Sequence, residues 1–337
     1  MSSTESPDAA RAAVGPAEVT SAAGAAVPTG PQTLDGEVVG SVSLPGLTLT
    51  VRRRAAQRDG LSPALFVHGL DGSSDNWSAL MRRLEDVVEC EALDLPGFGY
   101  SPPPDDGDYS INGHARAVVR LVEASGRGPV HLFGNSMGGT VATRIAALRP
   151  DLVRTLTLVS PALPELLVQR TAWFTVLASV PGLPQLYARA SRGWPGDRRA
   201  RALAELVYGD PSSIPPEELA AAARESERRM ALPYYWDALI RSTRGIVDAY
   251  TLGGQHCLWR QAERVLAPTL LVYGGRDKLV SFRMARRALK AFRDARLVAI
   301  PEGGHVCMME HPDVVARAFR DLLAETAERE QGSFTRF

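Results

Sequence analysis

Cysteine is scarce in this chain. Cys90, Cys257 and Cys307 are the only three in 337 residues, with no CxxC pair and no zinc-like spacing to histidine. That excludes a disulfide framework and makes free thiols in a reducing compartment the expectation. An excess of either charge is lacking as well. Thirty-eight basic residues balance thirty-eight acidic ones, for a formal net charge of zero. A nucleic-acid binder needs a basic excess to neutralise phosphates, and a polybasic membrane-surface protein needs one too. No apolar run reaches the roughly 18 residues of a membrane span. No basic region followed by an apolar core marks a secretory signal at the N-terminus. The expectation is a soluble cytoplasmic protein with no nucleic-acid partner and no membrane span. Lysine is almost missing: Lys278 and Lys290 leave 36 of the 38 basic residues as arginine. Coding bias in a GC-rich genome accounts for that skew.

What is present is a large apolar inventory in a rhythmic order. A chain of this length can bury a sizeable core without staples, and it suits one α/β domain carrying an insertion. Residues 1–36 are rich in Ala, Ser, Thr, Gly and Pro, contain no aromatic residue and show no hydrophobic period. They read as a disordered tail. Val38 to Leu44, Pro45-Gly46 and Leu47 to Val51 read as strand, turn and strand. From Ala64 onward, short apolar runs alternate with helical spacing up to Val159, which implies a mostly parallel sheet with helices on both faces. Residues 163–265 are helical in period with no convincing strand. The βα rhythm resumes at Thr269–Tyr273 and Leu297–Ile300, and a last helix is expected from about Pro312 to Ala324. The domain reading is a tail over 1–36, a core in two parts (37–162 and 266–325), a helical cap over 163–265 and a flexible tail over 326–337.

The chemistry-bearing motif is Gly134-Asn135-Ser136-Met137-Gly138-Gly139, set between a predicted strand and a predicted helix. This is a nucleophile elbow: Gly134 and Gly138 permit the sharp turn and close strand–helix approach, and Ser136 is lifted to the sheet edge. The following helix N-terminus favours negative charge developing there. A serine needs a base, and the base needs an orienting acid. Asp277 lies just past one strand end and His305 past the next. Glu165 is the alternative acid. Backbone amides of Met137 and Leu70 are the expected oxyanion donors, with His68 fixing the loop that carries Leu70. Tyr234, Tyr235 and Trp236 in the insertion either pack the cap or line a substrate pocket. Arg198-Arg199 and Arg228-Arg229 read as a solvated face. Asp94 to Ser101 reads as a turn that braces the site.

Five ordered segments then carry a resemblance: His68-Gly69, Asp94 to Ser101, the elbow, Gly275-Arg276-Asp277 and Gly304-His305. Together they resemble the α/β-hydrolase superfamily over about residues 37–325. The resemblance implies an eight-stranded core, a helical cap between the sixth and seventh strands, and hydrolysis without a cofactor or metal. The elbow is similar to that of meta-cleavage-product C–C hydrolases, as is the cadence Met308-Met309-Glu310-His311-Pro312. Those enzymes carry an aromatic residue after the catalytic histidine, where this chain has Val306, and a glycine-rich oxyanion loop that this chain lacks. A serine at 136 differs from the carboxylate nucleophile of epoxide hydrolases and haloalkane dehalogenases. The expectation is a serine hydrolase of a small to medium acyl substrate, foremost a carboxylic ester. The alternatives are a C–C hydrolase and a non-catalytic ligand-binding protein on the same scaffold.

Overall fold

Alternating and helical apolar patterns become strands and helices in the computed structural model, which describes residues 30–165, 193–251, 253 and 256–334. Among these, the strands are β1 (Glu37–Leu44), β2 (Leu47–Arg54), β3 (Pro63–Val67), β4 (Glu89–Leu93), β5 (Val130–Asn135), β6 (Val153–Val159), β7 (Thr269–Gly274) and β8 (Ala295–Ile300). They form one sheet in the order β1-β2-β4-β3-β5-β6-β7-β8. Pairings β1/β2 and β2/β4 are antiparallel and all others parallel. The crossovers are α1 (Ser78–Leu84), α2 (Ile111–Ser125) and α3 (Met137–Leu148). After β6 come α4 (Gly196–Val207), α5 (Pro216–Met230), α6 (Tyr235–Thr251) and α7 (Leu258–Ala262), and the later part adds α8 (Arg283–Ala291), α9 (Cys307–Glu310) and α10 (Pro312–Phe334).

Period-two alternation divides the core cleanly. Leu65, Val67, Leu132, Leu271 and Tyr273 point to one face of the sheet, where α2, α3 and α8 pack. Their neighbours Ala64, Phe66, Phe133, Leu270 and Val272 point to the other, against Trp77, α1 and α10. Both faces are therefore dry, as a parallel sheet requires. Helix ends follow local chemistry: Ser110 Oγ accepts from Gly113 N at the start of α2, and Gly126 closes it at φ 63°.

The structure corrects two boundaries. The expected insertion over 163–265 does not act as one cap to its end. Leu258, Trp259, Ala262 and Val265 are buried in the same cluster as Val141 and Ile145 of α3, so α7 packs with the core. The helix expected to stop near Ala324 continues to Phe334. The physical reason is a proline-free run continuing on the helix, whose Glu325 and Arg329 pair with Arg296 and Asp294. Residues 1–29 of the expected tail, 166–192 of the insertion and 335–337 lie outside the described residues.

Candidate active site

The candidate groups meet at the C-terminal edge of the sheet, the end where open α/β folds place ligands. β5 runs into Ser136, whose backbone at φ 52°, ψ −118° is the N-cap of α3. A Cβ on Gly138 would lie 2.3 Å from Val67 O and 2.4 Å from His68 O, and one on Gly134 would lie 2.5 Å from Gly138 O. Neither position has room for a side chain, which is why the elbow needs glycine at both. Positive φ at non-glycine residues occurs at Asp71, Ser136 and Ser160 among the described residues. All three stand in loops leaving β3, β5 and β6 at this same edge, so backbone strain gathers where the candidate chemistry is.

Met137 is the first residue of α3, so its amide belongs to the helix N-terminal donors that have no intrahelical acceptor. Leu70 lies opposite, in a turn closed by Gly72 N donating to Gly69 O at 3.1 Å. A Cβ on Gly69 would stand 3.1 Å from Ser136 Cβ, so this loop touches the serine. His68 is fully buried: Nε2 accepts from Leu95 N at 2.9 Å, and Nδ1 lies 2.7 Å from Gly69 O. Burial lowers its pKa and holds the ring neutral, with both nitrogens engaged by backbone. Asp94 braces the neighbouring turn, accepting from Ser74 N and Tyr100 N.

His305 Nδ1 stands 2.9 Å from Asp277 Oδ2, with His305 4% and Asp277 7% exposed. Asp277 Oδ1 accepts from Leu279 N and Val280 N at 2.8 and 3.0 Å. Burial by itself raises the Asp277 pKa, but His305 and the two amides outweigh it and hold the carboxyl below its ordinary 3.8. A lowered folded pKa means that the ionised carboxylate's contribution is complete above the unfolded value and is lost as pH falls through the folded one. Asp277→Asn is therefore expected to flatten the acid limb of stability below about pH 4, read from urea midpoints at stepped pH. An unaltered limb would contradict this account of the carboxylate.

Asn135, beside the serine, donates Nδ2 to His305 O at 3.0 Å and to Val159 O at 3.0 Å, tying the elbow to the histidine loop. Glu310 adds a second tie, accepting from Gly304 N at 2.8 Å and from Gly209 N at 2.7 Å, beyond the end of α4. His305 N itself donates to Val207 O at 2.7 Å. Glu165 stands beside the Asp277 loop, its Oε2 3.4 Å from Ser281 N; burial raises its pKa, and the ring of His305 is bonded to Asp277.

The expectation of a solvated Arg228-Arg229 face is overturned. Arg229, with a side chain 13% exposed, donates Nη1 to Asp71 Oδ1 at 3.2 Å and to Asp71 O. Tyr235 OH donates to Asp71 Oδ2 at 3.1 Å, while Arg228 donates to Gly99 O and lies over the Tyr100 ring. The doublet ends α5 against the loops of Gly99 and Asp71, so it faces inward. The aromatic cluster divides as well. Tyr235, not Tyr234 or Trp236, reaches the loop next to Leu70. Trp236 stacks edgewise on Tyr235 and lines a cavity of about 430 Å³ with Arg199, Met230 and Leu232, a cavity that Ser136 and His305 do not line. Asp71 and Glu310 both stood within quoted motifs, but nothing local marked their partners. No cluster of three or more His, Cys, Asp or Glu side chains placed to hold a metal ion occurs among the described residues.

Comparison with known proteins agrees with this fold. A family model of the alpha/beta hydrolase fold matches residues 63–312. The chain is 29% identical over 269 residues to a dihydrolipoyllysine-residue acetyltransferase component of an acetoin cleaving system from Cupriavidus necator. That match takes in 77% of this chain and 62% of the relative, so the chain spans less than two thirds of that relative's length. It is 27% identical to Lipase 1 of Psychrobacter immobilis over 77% of each chain. Among solved structures, a meta-cleavage product hydrolase from Pseudomonas fluorescens superposes with a TM-score of 0.68 at 19% identity, over 85% of this chain and 97% of that one.

Proposed function

The chain belongs to the alpha/beta hydrolase family, and within it we propose a cofactor-free serine hydrolase that cleaves a small to medium carboxylic ester. One observation carries the reading: a buried His305–Asp277 pair at 2.9 Å, tied through Asn135 to a strained elbow that presents Ser136. Ser136 Oγ attacks the ester carbonyl carbon as His305 Nε2 takes its proton. Asp277 keeps the Nδ1 proton in place and stabilises the imidazolium. The Met137 and Leu70 amides hold the oxyanion of the tetrahedral intermediate. Collapse breaks the bond to the leaving alcohol, which departs with the proton from His305. Water then attacks the acyl-enzyme by the same route and releases the acid. Similarity to a lipase supports an ester as the bond cleaved.

A fluorophosphonate probe tests this directly. The expected result is a single stoichiometric label on Ser136 together with turnover of short p-nitrophenyl esters. A protein that stays unlabelled is a binding protein on a hydrolase scaffold, and a label on another residue removes Ser136 from its role. The elbow sequence favours one second reading, a C–C hydrolase using the same residues. Loss of absorbance of a vinylogous diketone, without ester turnover, selects it.

A further inference from the structure

Zero net charge conceals one unbalanced surface. From Phe282 to Arg293 the chain carries five cations and no acidic residue. Most of this stretch is α8, which buries Met284, Ala285 and Ala288 against the core. Its outer surface is left to Arg283, Arg286, Arg287 and Lys290, with Arg293 just past its end, all exposed. Phe282, Arg286 and Leu289 are spaced i, i+4, i+7 and so form one stripe along the middle of that face. Phe282 is 40% and Leu289 39% exposed. The face extends onto the preceding segment: Arg287 lies 4.2 Å over the Trp259 ring, and Arg293 Nε donates to Glu263 O at 2.6 Å. That segment adds exposed Arg264 and Leu266, the latter 61% exposed.

Several surface arginines elsewhere in the molecule have carboxylate partners. Arg116, Arg149, Arg296 and Arg320 each pair with one or more carboxylates. None of the five cations between Phe282 and Arg293 makes an ion pair with a carboxylate among the described residues. Contacts within the fold account for Arg287, over the Trp259 ring, and for one N–H of Arg293; all five cations remain exposed. A row of exposed cations, outnumbering the exposed Glu263 beside it and interleaved with exposed Phe and Leu, matches a surface that offers both negative charge and apolar depth. Guanidinium forks suit phosphate oxygens, and exposed Phe and Leu side chains suit the boundary between headgroups and acyl chains.

We propose that the outer face of α8, with Arg264 and Leu266, is a peripheral docking surface for an anionic phospholipid membrane. A flat leaflet meets the whole stripe at once. The surface is separate from the candidate active site, so the proposal stands or falls independently of the hydrolase reading.

Cosedimentation of the full chain with vesicles tests it. Phosphatidylcholine vesicles are compared with vesicles holding about 30 mol% phosphatidylglycerol, at about 0.1 M and about 0.5 M salt. The wild-type protein is expected to partition onto the anionic vesicles only, and to leave them at the higher salt. Each cation near such a surface is worth roughly fivefold in partitioning. The triple variant R286Q/K290Q/R293Q should therefore lose at least about tenfold, with its activity unchanged. Phe282→Ser with Leu289→Ser should weaken binding to the anionic vesicles at the lower salt. Equal partitioning onto neutral and anionic vesicles overturns the proposal, as does a triple variant that binds like wild type. Capture by soluble poly-glutamate without vesicle binding, or a concentration-dependent dimer abolished by the triple change, overturns it in favour of another occupant.

Discussion

Ser136→Ala is expected to lower ester turnover by roughly 10⁴- to 10⁶-fold while leaving the fold intact. Loss on this scale follows because the acyl-enzyme route disappears; what remains is the water reaction aided by binding and the oxyanion amides. The fold survives because the contacts that shape the elbow belong to the backbone. Ser136 N donates to Val159 O at 3.1 Å, and Ser136 O accepts from Thr140 N and Ala162 N. Alanine keeps all three, and at φ 52° it is strained no less than serine. Steady-state kinetics with a p-nitrophenyl ester, paired with a thermal melt, check both halves. Turnover within tenfold of wild type in pure variant would remove the nucleophile assignment.

Arg229→Met should produce the largest loss outside the nucleophile, about 2–3 kcal/mol of stability together with a fall in kcat. The mutation strands the Asp71 carboxylate beneath the cap with Tyr235 as its remaining partner. Asp71 keeps 27% of its side chain exposed, so the cost stays below that of a fully buried pair. Burial already outweighs Arg229 and Tyr235 and keeps the Asp71 pKa above 3.8, so the pair is not a source of net stability. Its effect is geometric: Arg229 grips both the carboxylate and the carbonyl of a residue at φ 56°, directly after Leu70. Losing that grip loosens the loop that carries Leu70, the proposed source of one oxyanion amide. The expected pattern is a reduced kcat with KM little changed. Asp71→Asn combined with Arg229→Met should recover part of the stability, because no buried charge is then left alone. Equal unfolding midpoints for wild type and the single variant would refute the clamp.

Much of the architecture was legible along the chain. Short apolar runs at Ala64–Val67, Val130–Phe133 and Thr269–Tyr273 identified strands, because residues pointing to opposite sides of a sheet must both be apolar when both sides are covered. Gly134, Ser136 and Gly138 were legible because a tight turn between strand and helix restricts residue type at each position. Asp277 and His305 followed from strand ends. Arg229 was misread because a doublet of arginines looks the same in sequence whether it meets water or Asp71, 158 positions away. The continuation of α10 was missed because its polar outer turns are held by Asp294 and Arg296, which lie in another element.

What the sequence by itself determined is element type and the order of strands along the chain, since these depend on neighbours within a few residues. Only the tertiary structure decided which polar groups face one another: Asp71 with Arg229, Glu310 with Gly209 and Gly304, Asn135 with His305. It also decided that balanced charge is unevenly spread. Carboxylates distant in sequence fold onto some arginines, such as Arg52, Arg127 and Arg320, but among the described residues onto none of the cations of α8. Electrostatic pairing depends on distances of a few ångströms, and composition carries no distances.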